Sequence, residues 1–166
     1  MMDEPNPLNV LDVDNLIHDP VTGAYSKALF SSRLHEESAR ATRELGALSL
    51  CLLDIHQNGT LSDHQARDIH AVLKSTLRAS DVVFRFSNTE FVLMLPGTIK
   101  VDGERTCERL LQALESQQTE GVAVHMGLVT FPEDVLQPEK LLDLLQVRKN
   151  AALRSGSGNF VSVGLE

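Results

Sequence analysis

Several things are scarce in this chain of 166 residues. No stretch approaches the run of about 20 apolar residues that a membrane-spanning helix needs. The acidic, proline-containing opening "MMDEPNPLNVLDVD" lacks the basic and apolar regions of a signal peptide. Basic residues are outnumbered: 15 Lys and Arg against 23 Asp and Glu leave a net charge of −8. That balance argues against a general nucleic-acid or anionic-membrane binder, since both need a basic surface. It leaves room for a small anionic ligand held by a few well-placed arginines. Cysteines number 2, Cys51 and Cys107. Both fall in apolar-periodic segments and read as buried small hydrophobes in a reducing cytoplasm, not as a disulfide or metal ligands. The 6 histidines are scattered without an i,i+4 pair, so none reads as a ligand. The acidic residues elsewhere read as a solvated face.

What remains is an ordinary composition, 42% apolar and 23% charged, on a length suited to one domain with a real core. Residues 1–18 read as a leader of uncertain order and 19–166 as the domain, with no repeat or linker. After the turn chemistry of "HDPVTGAY" the pattern predicts a helix over about 26–44. Its Leu29, Phe30 and Leu34 face inward, with Arg33, Glu36, Glu37, Arg40 and Arg43 toward solvent. The apolar run "ALSLCLLD" predicts a central strand over 47–54, buried on both faces, and Asn58-Gly59 marks a turn. A helix over 63–79 carries an apolar stripe of Ile69, Val72, Leu73, Thr76 and Leu77. Strands are expected at 82–86 and 90–95, a helix at 102–117, a long strand within 121–134, a helix at 138–153 and a closing strand at 159–165. The central order is βαββαβ, an α+β, ferredoxin-like or palm arrangement with a mainly antiparallel sheet and helices expected on one face.

The turn "RFSNTEF" at 85–91 is bracketed by apolar runs and reads as a hairpin tip. It holds one acid and no glycine. Together with "DPVTGAYSKALF", "LSLCLLDI", "RASDVVFRFSNTEFVLMLPGT", "HMGLVTFPED" and "LLQVRKNAAL", in that order and spacing, it resembles the GGDEF family over about 19–164. Those domains are diguanylate cyclases, which condense two GTP into cyclic di-GMP. Within the resemblance the tip is degenerate: Ser87-Asn88-Thr89-Glu90-Phe91 stands where the family has Gly-Gly-acid-Glu-Phe. Glycines there let backbone approach a nucleotide, and Thr89 replaces a Mg²⁺-binding carboxylate. Asp54 matches the family's other metal-binding acid, so Asp54 and Glu90 remain as vestigial metal candidates. Asp54 is expected to act as a strand-end turn residue and Glu90 to be solvated, or to keep a residual metal contact. The loop after Asp54 is shorter than the family's guanine-binding loop. In "RSGSGNF" the family's Arg, which follows the glycine, has no counterpart, and no Lys for a triphosphate is identifiable. Losing a single electrostatic stabiliser typically costs about 10²–10³ in rate, so the resemblance implies a catalytically inactive domain with no tightly held Mg²⁺ or other cofactor.

The resemblance also implies a ligand site. Many GGDEF domains bind their product at an Arg-x-x-Asp motif, the inhibitory site, and Arg78 and Asp81 stand at that spacing before the tip. Arg109 matches the family's further Arg on the next helix. Arg40 matches an Arg that arrives from a neighbouring copy. Arginine can bond guanine O6 and N7 in bidentate fashion, pair with phosphate or stack on a base. The expected partner is therefore cyclic di-GMP, with a ligand-promoted homodimer or an unidentified protein partner downstream, in the bacterial cytoplasm. The alternatives are a protein-interaction module indifferent to nucleotide and a weak residual cyclase. Without the resemblance, Arg78 and Asp81 read as a surface ion pair at a helix end.

Overall fold

A computed structural model describes residue 14 and residues 16–117 and 121–164. Most of the leader expected over 1–18 lies outside the described residues, as do the last residues of the closing segment.

β2 (Leu48–His56) is the middle of the molecule. Its side chains alternate between two cores, as strand geometry requires. Cys51, Leu53 and Ile55 join one cluster, and Leu48, Leu50 and Leu52 join the other. Both faces being buried explains why the sequence here is continuously apolar rather than alternating. β4 (Glu90–Pro96) and β5 (Ala123–Phe131) flank β2 in antiparallel register. β3 (Val82–Arg85) pairs antiparallel with β4. Short β1 (Tyr25–Ser26) and β6 (Asn159–Val161) add parallel edges, giving the order β1-β3-β4-β2-β5-β6.

Helices cover both faces of this sheet: the two of the βαββαβ unit share one face, as expected, and two further helices cover the other. α2 (Asp63–Thr76) and α3 (Lys100–Ser116) pack Ala66, Ile69, Leu73, Cys107, Leu110 and Leu114 against the Cys51 side. α1 (Phe30–Arg43) and α4 (Leu141–Ser155) lie outside the βαββαβ unit and close the Leu50 side through Phe30, Ala41, Leu141 and Leu145. The cysteines are fully buried as expected, with their Sγ atoms 3.8 Å apart and unbonded. The hydrogen bond between them and their burial push the Cys51 thiol well up, away from reactivity.

Two connections have clear local causes. Asn58 and Gly59 both have positive φ, 52° and 79°. This is the type I′ turn that Asn-Gly favours, closed by mutual backbone bonds between Gln57 and Thr60. It keeps the link from β2 to α2 short. Ser62 then caps α2 by accepting from the Gln65 N–H, while the Gln65 side chain accepts from the Ser62 N–H, a capping box.

α4 is seated by a glycine. A Cβ built on Gly127 of β5 would stand 2.6 Å from the Lys149 nitrogen and 2.8 Å from the Leu145 carbonyl oxygen. Only glycine lets the helix backbone approach the strand this closely. That approach carries Arg148 and Lys149 into the interior, where they are 2% and 7% exposed.

Candidate functional site

The first set of predicted residues lies where α2 runs into β3. The helix ends at Thr76, and Leu77 is already extended, so Arg78 sits in the following turn and not at a helix end. Asp81, immediately before β3, organises that turn. Its Oδ2 accepts from the Arg78 backbone N–H at 2.9 Å and from Nε at 3.4 Å, and its Oδ1 accepts from Nη2 at 3.0 Å. Arg78 Nη2 also donates to the Pro96 carbonyl and to Thr98 Oγ1. The pair is asymmetric: the Asp81 side chain is 3% exposed and that of Arg78 is 53% exposed. Asp81 is thus a buried brace, and Arg78 presents a fixed guanidinium to solvent.

Asp81 also lines a cavity of about 440 Å³ at the β1–β3 edge. Its walls include Arg33, Glu37 and Arg40 of α1, and His70 and Lys74 of α2. Arg40 and Asp81 thus line one cavity within a single chain. Glu37, expected in solvent, is 4% exposed and lies 3.6 Å from Arg40. Burial pushes the His70 imidazole down, and neighbouring Lys74 adds to this, so its ring is neutral at pH 7. Arg109 is exposed on α3 as expected, but its guanidinium folds back onto Thr106 Oγ1 at 3.4 Å. Among the described residues no hydrogen bond or ion pair joins it to Arg78 or Asp81.

The second set lies at the other end of β4, roughly 20 Å away at about 3.4 Å per strand residue. Glu90, Asp54 and His125 are register partners on β4, β2 and β5, in one cross-strand row. Asp54 lies inside β2 and is 9% exposed, so it is not the strand-end turn residue expected. Lys149 reaches down from α4 between the acids, 3.2 Å from Glu90 Oε2 and 3.5 Å from Asp54 Oδ2. The other oxygen of Glu90 accepts from the Ser87 hydroxyl at 3.0 Å. Glu90 is therefore an internally paired residue, not a solvated one. Asp54 Oδ1 and His125 Nδ1 are buried without a hydrogen-bond partner, and His56 Nε2 lies 3.8 Å from that Oδ1. Burial pushes the His125 imidazole down more than Asp54 raises it.

The hairpin tip is braced from below. Arg85 donates to the carbonyls of Ser87 at 2.9 Å and Asn88 at 2.6 Å, and pairs with Asp19 at 3.1 Å. Burial raises the Asp19 carboxyl, but hydrogen bonds from Thr22 and the charge of Arg85 more than reverse this and hold it below the usual range. The tip carbonyls are thus engaged by the protein itself.

The resemblance to diguanylate cyclases implies Mg²⁺ here, and the side chains do not fit it. Thr89 supplies no charge, and an ammonium already stands between the two acids. A divalent ion about 4 Å from that ammonium would be repelled by roughly 8 kcal/mol at an effective dielectric of about 20. Among the described residues no group of three or more His, Cys, Asp or Glu is arranged to hold a metal ion.

Comparison with known proteins fixes the ancestry of this arrangement. The family model "Diguanylate cyclase, GGDEF domain" matches residues 16–158. The chain belongs to the GGDEF family. It is 38% identical over 104 residues to the diguanylate cyclase DgcP of Pseudomonas aeruginosa, an alignment covering 58% of this chain and 16% of DgcP. The chain thus spans less than a fifth of that relative. Among solved structures it resembles the diguanylate cyclase SiaD of Pseudomonas aeruginosa, determined with its activator SiaC. There the TM-score is 0.80 at 24% identity, over 94% of this chain and 65% of that one. It also resembles the GGDEF domain of Caulobacter crescentus DgcB in complex with cyclic di-GMP. That match has a TM-score of 0.75 at 17% identity, over 88% of this chain and 95% of that one. At these identities the two structural likenesses are of fold.

Within this GGDEF domain, sequence reasoning missed Lys149, Arg85 and the cavity residues Arg33, Glu37, His70 and Lys74. A signal for Lys149 existed. Leu141, Leu145, Arg148, Lys149 and Ala152 follow the buried helical stripe, and two cations on an apolar stripe demand buried acids. No comparable signal marks Arg85, whose partners are the main-chain carbonyls of the tip and the distant Asp19. No helix among the described residues is long and apolar enough to cross a membrane.

Proposed function

We propose that this GGDEF domain does not condense GTP and serves as a receptor for cyclic di-GMP. The observation that carries the reading is the Arg78–Asp81 brace. It holds a half-exposed guanidinium in place, beside a cavity whose walls carry Arg33, Arg40 and Lys74. Cyclic di-GMP brings two phosphodiester anions and two guanines. Arg78 supplies a pre-positioned fork for a guanine edge or a phosphate, and less side-chain entropy is lost because Asp81, Pro96 and Thr98 already hold it. Arg40 and Lys74 add charge to the same edge. Arg109 joins by swinging off Thr106. The absence of catalysis rests on Thr89, on the tightened 57–60 turn and on the Lys149-filled acid pair. The ligand seen with the GGDEF domain of DgcB is of the same chemical class.

Titration calorimetry of the whole chain with cyclic di-GMP tests the receptor reading. The expected affinity is near micromolar, about −8 kcal/mol. No heat at tens of micromolar protein would remove the reading. Incubation with GTP and Mg²⁺ or Mn²⁺, followed by chromatography, tests the other half: no cyclic di-GMP is expected, and clear product overturns it. Analytical ultracentrifugation with and without ligand reports whether binding promotes a dimer.

A second reading, a protein-interaction module indifferent to nucleotide, is favoured by one observation. An apolar groove of about 590 Å³ runs between Phe30 and Leu34 of α1 and Pro138 and Leu142. It predicts a partner whose capture does not change when cyclic di-GMP is added.

A further inference from the structure

The misfit between the acid pair and a metal ion has a constructive side. Lys149 is not a surface lysine that happens to lean inward. Its backbone is pressed onto β5 over Gly127, and its side chain is 9% exposed. Its ammonium contacts two acids from two strands, Glu90 of β4 and Asp54 of β2. Ser87, standing where a glycine would be expected, ties down the remaining Glu90 oxygen. A buried carboxylate pair needs a counter-charge, because two desolvated anions side by side are strongly destabilising.

We propose that Lys149 is an internal cation that takes the place of a divalent ion. It neutralises Asp54 and Glu90, ties α4 to the start of β4, and closes this end of the sheet to metal–triphosphate ligands. The role is built from three elements at once: Gly127 seats the helix, Lys149 supplies the charge and Ser87 completes Glu90. Asp54 Oδ1, still unpaired and buried, is the atom left waiting if the lysine is removed. The ammonium thus does by a covalent tether what a dissociable ion does elsewhere. A tethered group cannot be chelated.

The inference predicts that deleting the ammonium opens a cation site. Mn²⁺ titration of the whole chain, followed by electron paramagnetic resonance, reads this directly. The wild type is expected to show no saturable binding. Lys149→Met is expected to bind one Mn²⁺ at least tenfold more tightly, and Asp54→Asn in that background abolishes it. Lys149→Arg keeps the site closed. Wild-type binding as tight as that of Lys149→Met overturns the inference, as does a folded Lys149→Met that binds none. Should Lys149→Met fail to fold, the wild type decides by ¹⁵N resonance of the lysine ammonium groups. The Lys149 signal is expected to be slowed in exchange and indifferent to Mg²⁺, and a Mg²⁺-dependent shift sinks the idea. The cyclic di-GMP site lies at the other end of the sheet. Wild-type ligand affinity in Lys149→Met beside a failed Mn²⁺ result therefore counts against this inference alone.

Discussion

Asp81 and Arg78 form one pair with two unequal halves. Three donors from Arg78 converge on a carboxylate that is almost wholly buried. The bland reading from sequence, a weak surface ion pair, holds for the arginine and fails for the aspartate. Substituting the two residues should therefore give different outcomes. Arg78→Ala removes a half-exposed guanidinium; Asp81 keeps the backbone N–H of residue 78 and gains water through the space vacated, so stability falls by less than for Asp81→Ala. Cyclic di-GMP affinity should fall by about 2 kcal/mol, near thirtyfold, the typical worth of a bidentate arginine–guanine contact. Asp81→Ala strips the turn of its acceptor and should lower stability by about 1–3 kcal/mol as well as affinity. Calorimetric titration alongside urea unfolding separates the two. Equal stability losses for both variants would contradict the asymmetric brace.

At the scale of elements, α4 depends on one hydrogen atom's worth of space. Gly127→Ala forces a Cβ against the backbone of Leu145, Arg148 and Lys149, which cannot rotate aside as a flexible side-chain end would. Overpacking of this kind typically costs about 1–3 kcal/mol. The urea midpoint should drop accordingly, and the ion pairs of Lys149 should loosen with the helix; an unchanged midpoint refutes the seating argument. This element also marks where the sequence was legible and where it was not. The βαββαβ order, all four helices and every strand but the two-residue β1 follow from periodicity, because apolar spacing directly encodes which face is buried. The Asn58-Gly59 turn follows from backbone preference. What periodicity does not encode is which layer a helix outside that unit joins, so the second face covered by α1 and α4 was not legible. Nor does it encode the partners of a buried charge. Lys149 meets Glu90 and Asp54 only after the chain has folded across 59 and 95 residues. Nor does periodicity show that Arg40 lines the same cavity as Asp81 within one chain.

For the whole molecule, the two helical layers are stitched together by one buried cluster. Asp134 follows β5. Its carboxylate accepts from Arg148 of α4 at 3.0 Å, from Lys100 of α3 at 2.6 Å and from the Thr130 N–H at 2.8 Å. Arg148 also donates to the Leu128 carbonyl, so a guanidinium that is 2% exposed has all its bonds inside the protein. Burial raises the Asp134 carboxyl, but the bonds from Arg148, Lys100 and Thr130 outweigh it and hold the group below the usual range. A folded-state pKa below the unfolded one means that the unfolded chain binds more protons on acidification. The stability from this group is therefore complete above the unfolded value of about 3.9 and is lost as pH falls through the folded one. Asp19, also lowered, adds in the same window, and His70, lowered from about 6.5, begins the loss earlier. Asp134→Asn isolates the central term, because comparison with the wild type cancels the general effect of the −8 charge. At pH 7 it leaves Arg148 buried without its counter-charge, a change that typically costs about 3–5 kcal/mol. As pH drops below about 4 the unfolded chain takes up the proton first, and the folded carboxyl, held lower, follows, so the gap between the two proteins should start to narrow there and close through the folded value. Urea unfolding of both at pH 7, 5 and 3 measures that gap, and a gap that stays constant down to pH 3 would show that Asp134 does not hold the two layers by its charge.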